Sequence, residues 1–137
     1  MSVDRTEIYA KRLSTLIKAE TISIQGTSAD SRKERAKFTA FQSLLRELFP
    51  NIFRACEPSY FEGSLLLCWK GETEEDPIML MNHHDVVEAS GEWTHPAFSG
   101  EIADGKVWGR GTLDTKGGLA MMLQAAEELI KEGFTPK

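Results

Sequence analysis

The spacing of apolar residues changes twice along this chain, and that change limits the folds it can adopt. Three segments repeat apolar residues every three or four positions, which predicts amphipathic helices over about residues 4–19, 31–48 and 119–130. Between the second and third segments lie short apolar runs bounded by Gly, Pro or charged residues, which predict strands at residues 52–55, 65–69 and 78–81. Helices that flank apolar strands indicate an α/β fold with a mixed or mostly parallel sheet.

Capping residues support the helix boundaries. Asp4, with Glu7 three residues later, is typical of a capped helix start, and Ser31 with Glu34 forms a capping-box pattern. Gly133 stands where a C-terminal glycine cap is expected for the third helix. The run at residues 78–81 has no polar alternation, which predicts a strand buried on both faces.

Composition excludes several classes of protein. The 137 residues, 41% hydrophobic and 27% charged, are typical of one soluble globular domain. With a net charge of −5 and basic residues that are spread out, we expect no nucleic-acid partner. The apolar runs fall far short of the roughly 20 residues that span a membrane, so we expect no membrane partner. The N-terminus lacks a secretory pattern, and Cys56 and Cys68 suit buried free thiols, which together predict a cytoplasmic location.

A cluster of metal-binding residue types follows the apolar run at 78–81. His83, His84 and Asp85 stand at its carboxyl end, where α/β sheets gather their ligand sites. Strand alternation would place His83 and Asp85 on one side and His84 on the other. An H-x-D spacing can supply a metal-binding imidazole and the carboxylate that orients it. On spacing alone, two surface histidines at a strand end are an equally good interpretation.

A glycine-rich segment precedes the third helix and contains Asp114. Asp114 could bind a ligand, or it could simply be the N-cap of the helix. The glycines followed by Lys116 also raise the alternative of a nucleotide-dependent enzyme. The G-x-x-x-x-G-K-[ST] spacing of a P-loop is absent, however, and the GRG at 109–111 is too short for G-x-G-x-x-G.

Taken together, these segments resemble the family of zinc exopeptidases and deacylases that includes carboxypeptidase G, acetylornithine deacetylase, succinyl-diaminopimelate desuccinylase and aminoacylase. The resemblance is dense over residues 78–118, where the W-x-x-P-x-F-S-G at 93–100 is closest to the aminoacylase and carboxypeptidase-S branch. Asn82 and Glu88 stand where the family usually has glycine and proline. The resemblance implies part of a three-layer α/β/α catalytic domain with a mixed, mostly parallel sheet.

The resemblance also implies roles for single residues. His83 matches the first metal ligand, Asp85 the catalytic carboxylate that orients it, and Asp114 the carboxylate that bridges two metal ions. His84 and His95 match no ligand, and the peptide bond between Asp114 and Thr115 is expected to be cis. The cofactor would be two Zn²⁺ ions, for which Co²⁺ or Mn²⁺ could substitute.

Part of the family's site has no counterpart in this chain. The family also uses an adjacent pair of glutamates, a further acidic ligand and a distant histidine, whereas Glu127 and Glu128 fall in the third helix and suit a solvated face. We therefore expect residues 1–137 to be the N-terminal portion of a metallopeptidase catalytic domain, without the lid domain and the C-terminal half, and inactive alone.

The resemblance implies a substrate class for the intact enzyme as well. It would be a metal-dependent hydrolase that cleaves an amide bond of a peptide or an N-acyl amino acid. An exposed sheet edge in the 137-residue chain would favour homo-oligomers. A non-catalytic binding or assembly module on the same fold is the alternative.

Overall fold

The structure, a computed structural model, describes residues 4–24 and 31–137, and the side chains of residues 31–34 are not described. Its elements follow one another along the chain as four helices and four short strands. They are α1 (Arg5–Lys18), α2 (Ser31–Leu48), α3 (Pro50–Ala55), β1 (Glu57–Phe61), β2 (Ser64–Cys68), β3 (Ile102–Ala103), β4 (Lys106–Val107) and α4 (Lys116–Lys131).

The three long helices confirm the helical spacing of the sequence. Asp4 caps α1 as predicted, since its carboxylate accepts a hydrogen bond from the Thr6 amide at 3.0 Å. Gly133 ends α4 with φ of 81°, a left-handed conformation that glycine adopts without steric cost. Its amide donates to the Ile130 carbonyl at 3.0 Å, and the next amide donates to Leu129 at 2.9 Å. The Ser31–Glu34 capping box lies outside the described side chains.

The strand predicted at residues 52–55 is wrong, because this segment lies within helix α3. Pro50 is the first residue of the helix, a position where its fixed φ and missing amide hydrogen are tolerated. The Glu127 carboxylate of α4 accepts hydrogen bonds from the amides of Asn51 at 3.1 Å and Ile52 at 2.9 Å. Glu127 is only 4% exposed, so the expectation that it belongs to a solvated face is also wrong.

The strands of the described residues form two antiparallel pairs. Strands β1 and β2 pair with Glu57 opposite Cys68 and Phe61 opposite Ser64, while β3 and β4 form a second, shorter hairpin. Within the described ranges, the isolated bridge between Ile22 and Val86 is the sole parallel pairing. The α/β class is therefore confirmed, but the mixed, mostly parallel sheet is not formed by these strands.

The buried strand predicted at residues 78–81 is also wrong. These four residues have no regular secondary structure, and their side chains are 71–88% exposed. An apolar strand is buried on both faces only where other elements cover those faces. No element of the described part of the chain covers this segment, which we call the apolar segment below.

The hydrophobic core lies where the helices meet and includes Leu16 of α1, Phe41 of α2, Ile52 of α3 and Leu123 of α4. Of the two free cysteines, Cys56 is buried in this core as expected, whereas Cys68 is exposed. Burial raises the pKa of the Cys56 thiol. Among the helices of residues 4–24 and 31–137, none is long and apolar enough to cross a membrane.

Candidate metal site

The structure brings His83 between two aspartates. Its Nδ1 lies 3.1 Å from the backbone carbonyl oxygen of Asp85 and 3.2 Å from Oδ1 of the same residue. Its Nε2 lies 3.1 Å from Oδ1 of Asp114, although 31 positions separate the two residues. The two site segments therefore meet in the fold.

Both ring nitrogens of His83 face oxygen acceptors, an arrangement that suits a protonated imidazole, which donates from both nitrogens. Partial burial by itself lowers the pKa of His83. The hydrogen bonds to the Asp85 carbonyl and the Asp114 carboxylate raise this pKa, and so do the negative charges of the two aspartates. Together they outweigh the effect of burial, so the pKa of His83 is raised above its ordinary value.

Asp114 precedes helix α4 without capping it. The N-cap of α4 is Thr115, and its side chain makes no capping hydrogen bond. The Asp114 side chain is 90% exposed and points to His83, so the interpretation of this residue as an N-cap is wrong. The peptide bond between Asp114 and Thr115 is cis, as the resemblance implied.

The separation of His83 and Asp114 suits two ligands of one metal ion. Zinc binds imidazole nitrogen and carboxylate oxygen at roughly 2.0–2.2 Å, so two such atoms on a tetrahedral ion lie roughly 3.4 Å apart. The observed 3.1 Å between Nε2 and Oδ1 is close to this spacing. In the residues that the structure describes, no group of three or more His, Cys, Asp or Glu side chains is arranged to hold a metal. The residues thus fit half of a metal site.

The neighbouring histidine is turned away from this pair. The His84 ring packs against Phe38 and Phe41, with ring centroids 5.4 and 5.2 Å apart. Burial lowers the pKa of His84, and the nearby Lys116 charge lowers it further, despite the opposing influence of Asp85. His84 therefore points to the opposite side from His83, as strand alternation predicted, and lies against two phenylalanines.

The loop between the two site segments is anchored by its own contacts. The Arg110 amide donates to the Ala97 carbonyl at 2.7 Å, and the Arg110 guanidinium lies 5.0 Å from the ring centroid of Trp93. His95 is held by Glu101, with 2.8 Å between Nδ1 and Oε2, and stacks on Trp108. The interpretation of His95 as a non-ligand stays a prediction.

Lys116 has a different role from the one that a nucleotide site would require. It is fully buried, and its Nζ donates to the backbone carbonyls of Leu16 at 3.0 Å and Ala19 at 2.6 Å. Burial lowers the pKa of Lys116 to about 8. A side chain enclosed in this way cannot reach a phosphate group, so the structure argues against the nucleotide alternative.

Sequence reasoning missed two residues beside the site, Lys116 and Thr21. The Thr21 hydroxyl donates to the His84 carbonyl, and the Val86 amide donates to the Thr21 carbonyl at 2.9 Å. Thr21 falls in a polar stretch that only indicated a loop, and Lys116 drew notice only as a residue after glycines. Neither had a local pattern that pointed to the site.

Comparison with known proteins identifies relatives of this chain. Residues 79–137 match the family model described as Peptidase family M20/M25/M40, and the matched range includes His83, Asp85 and Asp114. The chain is related to the M20/M25/M40 peptidases. The resemblance that the sequence motifs indicated is thereby confirmed.

Individual relatives extend the similarity beyond that range. The chain is 37% identical to the probable carboxypeptidase S-like 2 of Dictyostelium discoideum, over 93% of its own length and 25% of the relative's. It is 30% identical to the N-fatty-acyl-amino acid synthase/hydrolase PM20D1.1 of Danio rerio, over 100% of its own length and 27% of the relative's. The chain thus spans about a quarter of the length of these relatives.

Proposed function

We propose that this chain forms part of a metal-dependent hydrolase that cleaves an amide bond of a peptide or an N-acyl amino acid. The observation that carries the proposal is the 3.1 Å approach of His83 Nε2 to Asp114 Oδ1. The similarity to M20/M25/M40 peptidases and to a protein named as an N-fatty-acyl-amino acid synthase/hydrolase supports the reaction and the substrate class. The proposal includes the fold of the catalytic domain to which this chain would contribute, a three-layer α/β/α domain with a mixed sheet.

Three residues would have distinct roles in the site. His83 would hold a metal through Nε2 and Asp114 through its carboxylate, which in a two-zinc site would bridge the ions. Asp85 would accept a hydrogen bond from Nδ1–H of His83, which fixes the tautomer that leaves Nε2 free to bind. The chemistry that the metal would supply is Lewis-acid activation of a carbonyl and of a water molecule.

Manganese titration of the chain, followed by NMR, tests the ligand assignment even if binding is weak. Paramagnetic broadening should begin at the amides of residues 83–85 and 113–115. His83→Ala and Asp114→Asn should abolish this broadening, whereas the neighbouring His84→Ala, which removes a side chain packed on phenylalanines, should preserve it as long as the variant remains folded. Broadening centred on the acidic turn at residues 72–76, and unchanged in His83→Ala, would contradict the proposal.

A further inference from the structure

The C-terminal turn of helix α1 contacts both segments that carry the proposed ligands. Lys116, two residues after Asp114, donates two hydrogen bonds to carbonyls of this turn, those of Leu16 and Ala19. Thr21, two residues after Ala19, donates from its hydroxyl to the carbonyl of His84, next to His83. Two segments that are distant in sequence are therefore attached to one short stretch of backbone.

The attachment through Lys116 is a strong one in physical terms. The last carbonyls of a helix have no partners within the helix, and a cation near them is favoured by the helix dipole. Lys116 is 0% exposed, and its Nζ lies 5.0 Å from the ring centroid of Phe41. A buried ammonium depends on its hydrogen-bond partners, so its position is tied to those of the two carbonyls.

The attachment at Thr21 involves backbone as well as side chain. The Val86 amide donates to the Thr21 carbonyl at 2.9 Å, and the Ser23 amide donates to the Val86 carbonyl at 3.0 Å. These bonds hold the backbone on both sides of Asp85. The backbone at Gly111 also approaches Val86 closely. A Cβ at position 111 would lie 2.8 Å from a methyl group of Val86.

We propose that Lys116 and Thr21 are positioning residues that set the distance between His83 and Asp114 by fixing both segments to the end of α1. This inference rests on the proposed function, because the distance matters only if the two residues bind a metal. Whether Lys116 and Thr21 set that distance can be tested without a metal. Loss of a group that holds a metal ligand in position typically lowers metal affinity by about 10–100-fold.

The first readout is the NMR signal of the His83 Nε2 nitrogen in the metal-free chain. Asp114→Asn supplies the reference for a histidine that has lost its carboxylate partner. Lys116→Met and Thr21→Val should both move the chemical shift of His83 Nε2 toward that of the reference. Thr21→Ser keeps the hydroxyl and should retain the wild-type chemical shift. Lys18→Met is the matched control, since Lys18 is an exposed lysine in the last turn of the same helix.

The second readout is manganese broadening at residues 83–85 and 113–115, which should require about tenfold more metal in Lys116→Met and Thr21→Val. Folded Lys116→Met and Thr21→Val variants with a wild-type Nε2 shift would overturn the positioning role. If Lys116→Met does not fold, the comparison of Thr21→Val with Thr21→Ser decides the question. Absence of broadening in the wild type would count against the proposed function alone, because the Nε2 shift is measured without metal.

Discussion

At the scale of single residues, His83 and His84 show how one step along the chain changes the surroundings of a side chain. The His83 side chain is 53% exposed and faces two carboxylates, while the His84 ring is packed on Phe38 and Phe41. The charges and hydrogen bonds of the aspartates raise the pKa of His83, and burial lowers that of His84. Of the two rings, that of His83 is the one that faces carboxylates, which is why His83 is the proposed ligand.

A second residue-scale contact, between Tyr9 and Glu128, links α1 to α4 and predicts a pH effect. The Tyr9 hydroxyl donates to the Glu128 carboxylate. Hydrogen bonds from Tyr9 and Gln124, with the charge of Arg5, lower the pKa of Glu128 below 4.5. A carboxyl group with a lowered pKa stabilises the fold above its unfolded pKa, and this contribution is lost as the pH falls through the folded value.

Tyr9→Phe removes the largest cause of this shift. We expect the variant to lose less of its free energy of unfolding than the wild type when the pH falls from 6 to 3, as measured by urea denaturation at each pH. Tyr60→Phe serves as a control, because Tyr60 is also a partly exposed tyrosine but contacts Arg46 instead of a carboxylate. If Tyr9→Phe and the wild type lost the same free energy of unfolding between pH 6 and 3, the hydrogen bond from Tyr9 would not be what lowers the pKa of Glu128.

At the scale of secondary-structure elements, α3 depends on a residue of another helix. Its six residues are too few for a stable isolated helix, and its N-cap residue, Phe49, makes no side-chain hydrogen bond. The Glu127 carboxylate supplies the missing acceptor to the Asn51 and Ile52 amides and to Asn51 Nδ2 at 2.8 Å. A negative charge at this end of a helix is also favoured by the helix dipole.

Glu127→Gln should therefore destabilise the protein. Removal of the charge weakens three hydrogen bonds to a buried group, a change on the order of 1–3 kcal/mol in the free energy of unfolding. Urea denaturation measures the loss, with Glu132→Gln, which changes an exposed glutamate five residues later, as the control. Equal stability of the two variants would mean that Glu127 does not cap α3.

The apolar segment at residues 78–81 is the second element that bears on behaviour in solution. An exposed extended segment with apolar side chains offers a template for pairing with another chain. We expect the 137-residue chain to self-associate through this segment. Met79→Lys should lower the associated fraction in sedimentation velocity, whereas Met121→Lys, which changes a helical methionine with the same 71% exposure, should not. An equal effect of both substitutions would indicate nonspecific association.

At the scale of the whole molecule, the described residues supply two proposed ligands, whereas catalytic zinc sites ordinarily use three protein ligands per ion with one open position. No residue of this chain was matched to the family's adjacent glutamates, from which a general base would come, and such a base typically contributes about 10²–10⁴-fold to the rate. The chain spans only about a quarter of its relatives' length. We therefore predict that the 137-residue chain alone is inactive as a hydrolase.

The prediction is tested by addition of zinc or cobalt to the purified chain with N-acyl amino acids and dipeptides as substrates. Product release should not exceed that of the metal in buffer. The His83→Ala variant, purified in the same way, controls for a contaminating hydrolase. Metal-dependent turnover that is absent from His83→Ala would show that the residues present already form an active site.

The sequence by itself determined the features that depend on local spacing. The three long helices follow from apolar residues repeated every three or four positions, and the Asp4 and Gly133 caps follow from residue type. The family was indicated by motifs within residues 78–118, because the types and spacing of site residues are visible without a structure. His84 was correctly separated from His83 by the same kind of local rule, the alternation of side chains along an extended segment.

Only the tertiary structure decided the features that depend on contacts between distant residues. The burial of Glu127, the helical state of residues 50–55 and the attachment of Lys116 to α1 each involve partners far apart in sequence. The exposure of the apolar segment was likewise a matter of which elements lie against it. Local periodicity indicates which face of a segment can be buried, but it does not specify the partner that buries that face. Contacts between distant residues therefore left no pattern in the sequence.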